Sequence, residues 1–226
     1  MKRIICLIIA AVMIFCLGSC GDDKNKTVSI STEDGKSEEV SYPVGNPDNY
    51  TESDCDTGMR FTLTLHNYTD NFNAVYNELG GNGEKFSYTK WKKTKKDDEK
   101  YEYFYLKSGN IVLTATVEKE SLCLVNVGCG VSADIYGKNK KNRERVLRVS
   151  AICAIASGGY TADDLDFFSA LFEKTEEDEE HSFWFNNSIY IYSESERDKT
   201  VLFRVMPATE GKRDEWHISD FIMNAG

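Results

Sequence analysis

The sequence predicts an α+β fold, with one antiparallel sheet or two and helices packed on one face. The arrangement leaves room for two related helix-plus-meander lobes. Three observations carry this. Short runs of alternating apolar and polar residues are joined by short turns, which is the pattern of an antiparallel meander. Segments with apolar residues three and four apart carry helix caps. The elements run strand, helix, four strands, two helices, three strands, so a helix-then-meander order occurs twice.

Residues 20–56 come first, opening with GDDKNKTVSISTEDGKSEEVSY after Cys20. They are polar, charged and poor in large apolar residues, so they predict a flexible tether. Its mean reach as a coil is about 30–36 Å. The domain is expected over residues 57–226. FTLTLH sets Phe61, Leu63 and Leu65 against Thr62, Thr64 and His66, the pattern of a half-buried strand. Next, Phe72, Val75, Tyr76 and Leu79 share a helical face, with Thr69 or Asp70 as cap and Gly80–Gly81 as stop, giving a helix of about ten residues. FSYTKW, YEYFYL, IVLTATV and LCLVNVGC read as four strands, with turns at Lys107–Asn110 and Glu118–Ser121. KNKKNRERVLRVSAICAIASGG predicts a helix that is apolar on most sides after Arg145. Thr161 and Asp164 predict a capping box for another, which carries Leu165, Phe168 and Phe172. After the acidic run EKTEEDEEH, read as a solvated loop, come the strands SFWF, SIYIYS and VLFRVM. The tail DEWHISDFIMNAG is expected to dock as a short helix.

The amino terminus gives an address. Met1, Lys2 and Arg3 make a cationic start, and Ile4 to Leu17 carry no charge, Pro or Gly. As a helix this run covers about 21 Å, short of the roughly 30 Å hydrocarbon core, so it predicts a secretory signal rather than a span. Leu17-Gly18-Ser19-Cys20 resembles the lipobox of bacterial lipoproteins. The resemblance implies removal of residues 1–19, a diacylglycerol thioether on Cys20, and anchoring to the outer face of a bacterial membrane. It covers about the first twenty residues and says nothing of the body.

Loss of Lys2 and Arg3 with the signal takes the net charge from −10 to −12. Such a body argues against nucleic acid as a partner, because phosphate binding needs a cationic surface. Four cysteines remain besides Cys20: Cys55, Cys123, Cys129 and Cys153. Cys123 and Cys129 sit roughly 20 Å apart on one predicted strand, too far to bridge, so any disulfide would involve Cys153 or Cys55. The alternative is four small buried hydrophobes. The spacing of Cys, His66, His181 and His217 predicts no metal site, and no cofactor motif is present.

Ser87-Tyr88-Thr89-Lys90 matches the S-x-x-K of penicillin-binding enzymes, but on a strand its serine and lysine would point to opposite faces. Against the acidic background, Lys90, Trp91, Lys92, Lys93, Lys95 and Lys96 stand out. Basic residues beside an indole suit an anionic headgroup or wall polymer, with the ring at the interface. The simpler account is a lysine-lined edge strand that discourages pairing. Tyr101, Tyr103 and Tyr105 share one strand face, as do Tyr190 and Tyr192, and both sets are expected in the core. The sequence therefore points to a lipid-anchored extracytoplasmic protein that binds a ligand or a protein partner. The rival expectation is an envelope hydrolase whose site assembles from distant residues such as His66, His181 or Asp/Glu pairs.

Overall fold

A computed structural model describes residues 25–31, 37–81 and 86–221, with side chains from Ser41 onward. Cys20 and residues 17–19, which carry the lipobox resemblance, lie outside the described residues, as do the last five residues. Among the described residues, no helix is long and apolar enough to cross a membrane.

The expected α+β class is what the chain adopts. In chain order the elements are β1 (Asn25–Ser31), β2 (Ser37–Pro43), β3 (Tyr50–Glu52), β4 (Met59–Phe61), α1 (Leu65–Glu78), β5 (Lys92–Lys93) and β6 (Tyr101–Ser108). There follow β7 (Ile111–Glu118), β8 (Leu124–Ser132), α2 (Ala133–Tyr136), α3 (Lys140–Gly158) and α4 (Leu165–Glu177). The chain then makes β9 (Ser182–Phe185), β10 (Ser188–Ser195), β11 (Thr200–Pro207) and α5 (Glu210–Glu215). Seven strands form one antiparallel sheet in the order β5-β6-β7-β8-β11-β10-β9. The two meanders expected as separate lobes are thus halves of a single sheet, joined last strand to last strand where β8 meets β11. Each half alone would expose an edge there, and pairing removes it.

Helices α1, α3 and α4 cover one face of this sheet, with α3 between the other two. From Val146 to Gly158 the α3 residues are buried apart from Arg148, which explains an apolar pattern too broad for a one-sided helix. Ala151, Ala154 and Ala156 let the neighbouring helices approach closely. Phe72, Phe168, Phe172, Tyr190 and Phe203 fill the space beneath them, and each such side chain contributes about 1.5–3 kcal/mol by leaving water. The β9–β10 turn places both Asn186 and Asn187 at positive φ, as a two-residue hairpin matched to strand twist requires. The tail closes the β9 edge: Trp184 N–H donates to the Ser219 carbonyl at 2.8 Å, and Phe221 N–H to the Trp184 carbonyl at 2.8 Å. The tail, expected to dock as a short helix, instead pairs as an extended segment over its described part from 219 to 221, and α5 (Glu210–Glu215) lies almost wholly upstream of it.

Four further sequence expectations change. The FTLTLH strand stops at Phe61, and α1 starts at Leu65 with Thr64 as its cap, accepting the Asn67 N–H at 3.3 Å. Leu65 is buried in either arrangement, and so short an alternating run does not separate the two. FSYTKW is a loop with a 3₁₀ turn over 88–90. Asn73 of α1 holds both backbone groups of Phe86, donating to its carbonyl at 2.7 Å and accepting its N–H at 2.8 Å. A ladder partner is therefore unnecessary. The acidic run begins inside α4, where Glu176 accepts from Tyr136 Oη at 2.6 Å and pairs with Arg143 at 2.9 Å.

The fourth change concerns residues 20–56, expected as a tether. Residues 25–31 and 37–43 form a hairpin, and the chain from Tyr42 to Glu52 packs on the domain. Asn46 N–H donates to the Gly158 carbonyl at 3.0 Å, and Asn49 Nδ2 to the Ser157 carbonyl at 3.0 Å. These carbonyls end α3 and have no partner within the helix, so the upstream segment supplies what the helix terminus lacks.

Candidate functional site: the open face of the sheet

Among the described residues, no helix lies over β6, β7, β8 and β11 on the sheet's second face. Strand alternation assigns its residues. Ile111, Leu113, Ala115 and Val117 of β7 go under the helices, leaving Val112, Thr114 and Thr116 on the open side. In β11, Val201, Phe203 and Val205 go under, leaving Leu202, Arg204 and Met206. In β6, Tyr101, Tyr103 and Tyr105 are open, half-buried rather than in the core. Tyr190 is the reverse case, fully buried against Phe168 and Phe172. The two tyrosine sets, expected alike, thus lie on opposite faces. The repeating side-chain period is the same for both, and only the placement of the helices distinguishes them.

The middle of the open face is hollow because β8 presents glycines there. Gly128 lies in register with Thr114 on one side and Arg204 on the other. A Cβ at Gly128 would run into the Phe203 carbonyl, with Thr114 Oγ1 at 3.0 Å and Arg204 Cγ at 3.1 Å. The Arg204 stem therefore passes beside a position that only glycine can occupy. Gly130, two residues on, lowers the adjoining part of the floor in the same way. Near Thr116 a register shift leaves Val125 as an extra residue of β8 and turns it toward the groove. The result is a groove of about 500 Å³, with Thr114, Thr116, Asn126 and Arg204 below, the three tyrosines along one wall, and Trp216 on the other side. That size suits a small-molecule site.

The rim is fixed by short bonds. Cys55 Sγ and Thr57 Oγ1 each donate to the Met59 carbonyl at 3.0 Å, and Thr209 N–H donates to the Thr57 carbonyl at 3.1 Å. Tyr103 Oη donates to Asp98 Oδ2 at 2.8 Å, which with backbone N–H groups holds the Asp98 carboxyl below its usual range. Lys96 Nζ stands 3.8 Å over the Tyr103 ring.

Arg204 is the anomaly. Its Nε is buried with no hydrogen-bond partner, and its guanidinium has no ion pair among the described residues. Burial alone pushes its pKa down. Arg60 Nε is also buried without a partner, but its guanidinium pairs with Glu118 at 2.9 Å, as Arg143 does with Glu173 at 2.7 Å and Arg213 with Asp214 at 2.8 Å. Thr114, Thr116 and Asn126 likewise make no side-chain hydrogen bond among the described residues.

The lysine cluster is dispersed by the fold. Lys92 and Lys93 form the exposed edge strand β5, and Lys93 pairs with Glu102 at 2.6 Å. Lys90 and Lys95 are exposed, whereas Lys96 alone lines the groove. The Trp91 ring packs inward and its indole N–H donates to Thr69 Oγ1 at 3.0 Å. It is not the outward-facing interface ring of the sequence reading.

The residues considered for a hydrolase also lie on separate elements. His66 meets Asp70 one helical turn on, at 3.5 Å on the exposed side of α1. His181 Nδ1 is 3.3 Å from the Thr175 carbonyl, and His217 follows α5. Ser87 Oγ is 2.9 Å from Thr89 Oγ1 in its 3₁₀ turn. Cys55, Cys123, Cys129 and Cys153 are free thiols, and all but Cys123 are buried. Among the described residues, no group of three or more His, Cys, Asp or Glu is placed to hold a metal ion. The sequence reading missed Arg204, Gly128 and Gly130. A charge inside the apolar run VLFRVM and two glycines in VNVGCG were the available signals.

No family model, no curated protein and no solved structure matches the chain.

Proposed function

We propose that this chain is a lipid-anchored extracytoplasmic binding protein and that its ligand occupies the groove on the open sheet face. The carrying observation is Arg204, a half-buried guanidinium with no counter-ion among the described residues, held beside Gly128 near the Thr114 and Thr116 hydroxyls. A desolvated cation with no partner destabilises a fold, and sites that bind are where such a cost persists. The lipobox resemblance at Cys20 supports the anchor, and the acidic balance argues against nucleic acid as a general partner.

Two experiments test the two halves of this reading. Metabolic labelling with a fatty-acid analogue should tag the wild type and not Cys20→Ala, and an untagged wild type overturns the anchor. A photo-crosslinking residue at Leu202, on the groove floor, should form adducts on intact cells. The same residue at Leu122, an exposed turn position, should not. Equal yields at both positions, or none at either, would overturn the groove as the binding surface.

A further inference from the structure

Resting on that reading, we infer that the groove takes a sugar acid: a hydroxyl-rich ligand with one carboxylate, seated on Arg204.

Three features select this chemistry. First, the groove offers one half-buried cation, whose Nε is buried without a partner. The Arg204 guanidinium is a planar fork that matches a carboxylate in two parallel hydrogen bonds. A phosphate dianion would require a second buried cation, and the one other cation lining the groove, Lys96, is exposed and shares its surroundings with Asp98. Asp56 on the rim adds further repulsion toward a doubly charged ligand. Second, the floor is polar. Thr114 and Thr116 on β7 and Asn126 on β8 offer unpaired donors and acceptors in neighbouring rows of the sheet, so a ligand bearing several hydroxyls satisfies them where a hydrocarbon acid would not. Third, the walls are aromatic. Tyr101, Tyr103 and Tyr105 stand along β6 and Trp216 stands across from them, giving amphipathic surface that packs on a ring while leaving its polar edge free.

The matched probes are glucuronate and glucose, which share a ring and hydroxyls and differ in the carboxylate. They would be titrated into the chain from residue 20 onward carrying Cys20→Ser, followed by the NMR shift of the Trp216 indole N–H and the β7 and β8 amides. Glucuronate should shift these signals saturably, with glucose about tenfold weaker or more. Arg204→Met should abolish the difference between the two sugars. Arg204→Lys, which keeps the charge and loses the fork, should retain only part of it. Folding of each variant is read from the dispersion of the same spectra. Equal binding of both sugars, binding of glucuronate unchanged in Arg204→Met, or binding of neither sugar would overturn the inference. Adducts at Leu202 in the crosslinking experiment would then still stand for a groove that binds another ligand.

Discussion

If Arg204 is kept for a ligand, removing it should stabilise the free protein. Methionine at 204 keeps an unbranched stem beside Gly128 and fills the same channel without a charge. What it removes is a buried Nε with no acceptor and a guanidinium with no counter-ion among the described residues. Leaving one such group unsatisfied costs about 1–3 kcal/mol. Because the side chain is only half-buried, water still solvates part of the fork. The expected gain lies in the lower part of that range, about 1–2 kcal/mol, or a rise of about 2–8 °C in Tm for a domain of this size. Urea and thermal unfolding of the chain from residue 20 onward carrying Cys20→Ser would measure it, with Arg143→Met as the control. Arg143 holds Glu173 and Glu176 together, so its loss should destabilise by about 1–3 kcal/mol. The signs are opposite for two half-buried arginines, and general loss of packing cannot produce that. Arg204→Met less stable than wild type by about 1 kcal/mol or more would refute the reasoning, because the guanidinium would then have a stabilising partner.

Gly128→Ala should destabilise by about 2 kcal/mol or more, since its Cβ meets the Phe203 carbonyl, whereas Gly130→Ala meets Leu202 at an ordinary 3.4 Å and should cost under about 1 kcal/mol. Urea unfolding of the pair reads this. Asn49→Ala should lose about 1–3 kcal/mol by leaving the Ser157 carbonyl without its donor, and cleavage by protease within residues 41–52 should rise in parallel. In the native state Cys123 should react with a thiol reagent while Cys129 and Cys153 stay protected until unfolding, as a time course in and out of urea would show. Burial pushes the Cys153 thiol up to about 12 from an ordinary 9.0. The unfolded thiol therefore ionises first. Its contribution to stability is full below pH 9 and is lost as the pH rises from there toward 12. Cys153→Ala should reduce the slope of stability against pH in that window, by up to one proton equivalent.

Element type was legible wherever one interaction set it locally. The Thr161–Asp164 capping box forms as read, with Thr161 N–H donating to Asp164 Oδ2 at 2.9 Å. IVLTATV alternates buried and half-buried residues along its whole length. Where a local pattern was ambiguous, distant groups decided it. Phe86 left the strand because Asn73 bonded its backbone, and the polar stretch around Asn46 and Asn49 became ordered because α3 needed donors at its end. The site was still less legible. Arg204 is far along the chain from Tyr105 and Thr114, and only the pairing of β11 with β8 brings them into one row.

From the sequence alone come the α+β class, most of the strands and helices, the acidic balance and the resemblance of residues 17–20 to a lipobox. Each depends on residues a few positions apart, where side-chain period, caps and turn chemistry act directly on the backbone. Tertiary structure decided that the two meanders share one sheet, which face the helices cover, and which tyrosines stay in contact with water. Strand alternation allots residues to two faces but cannot say which is buried. In this protein that choice rests on α3 packing against β8, and the face that no helix covers among the described residues is the one that holds Arg204.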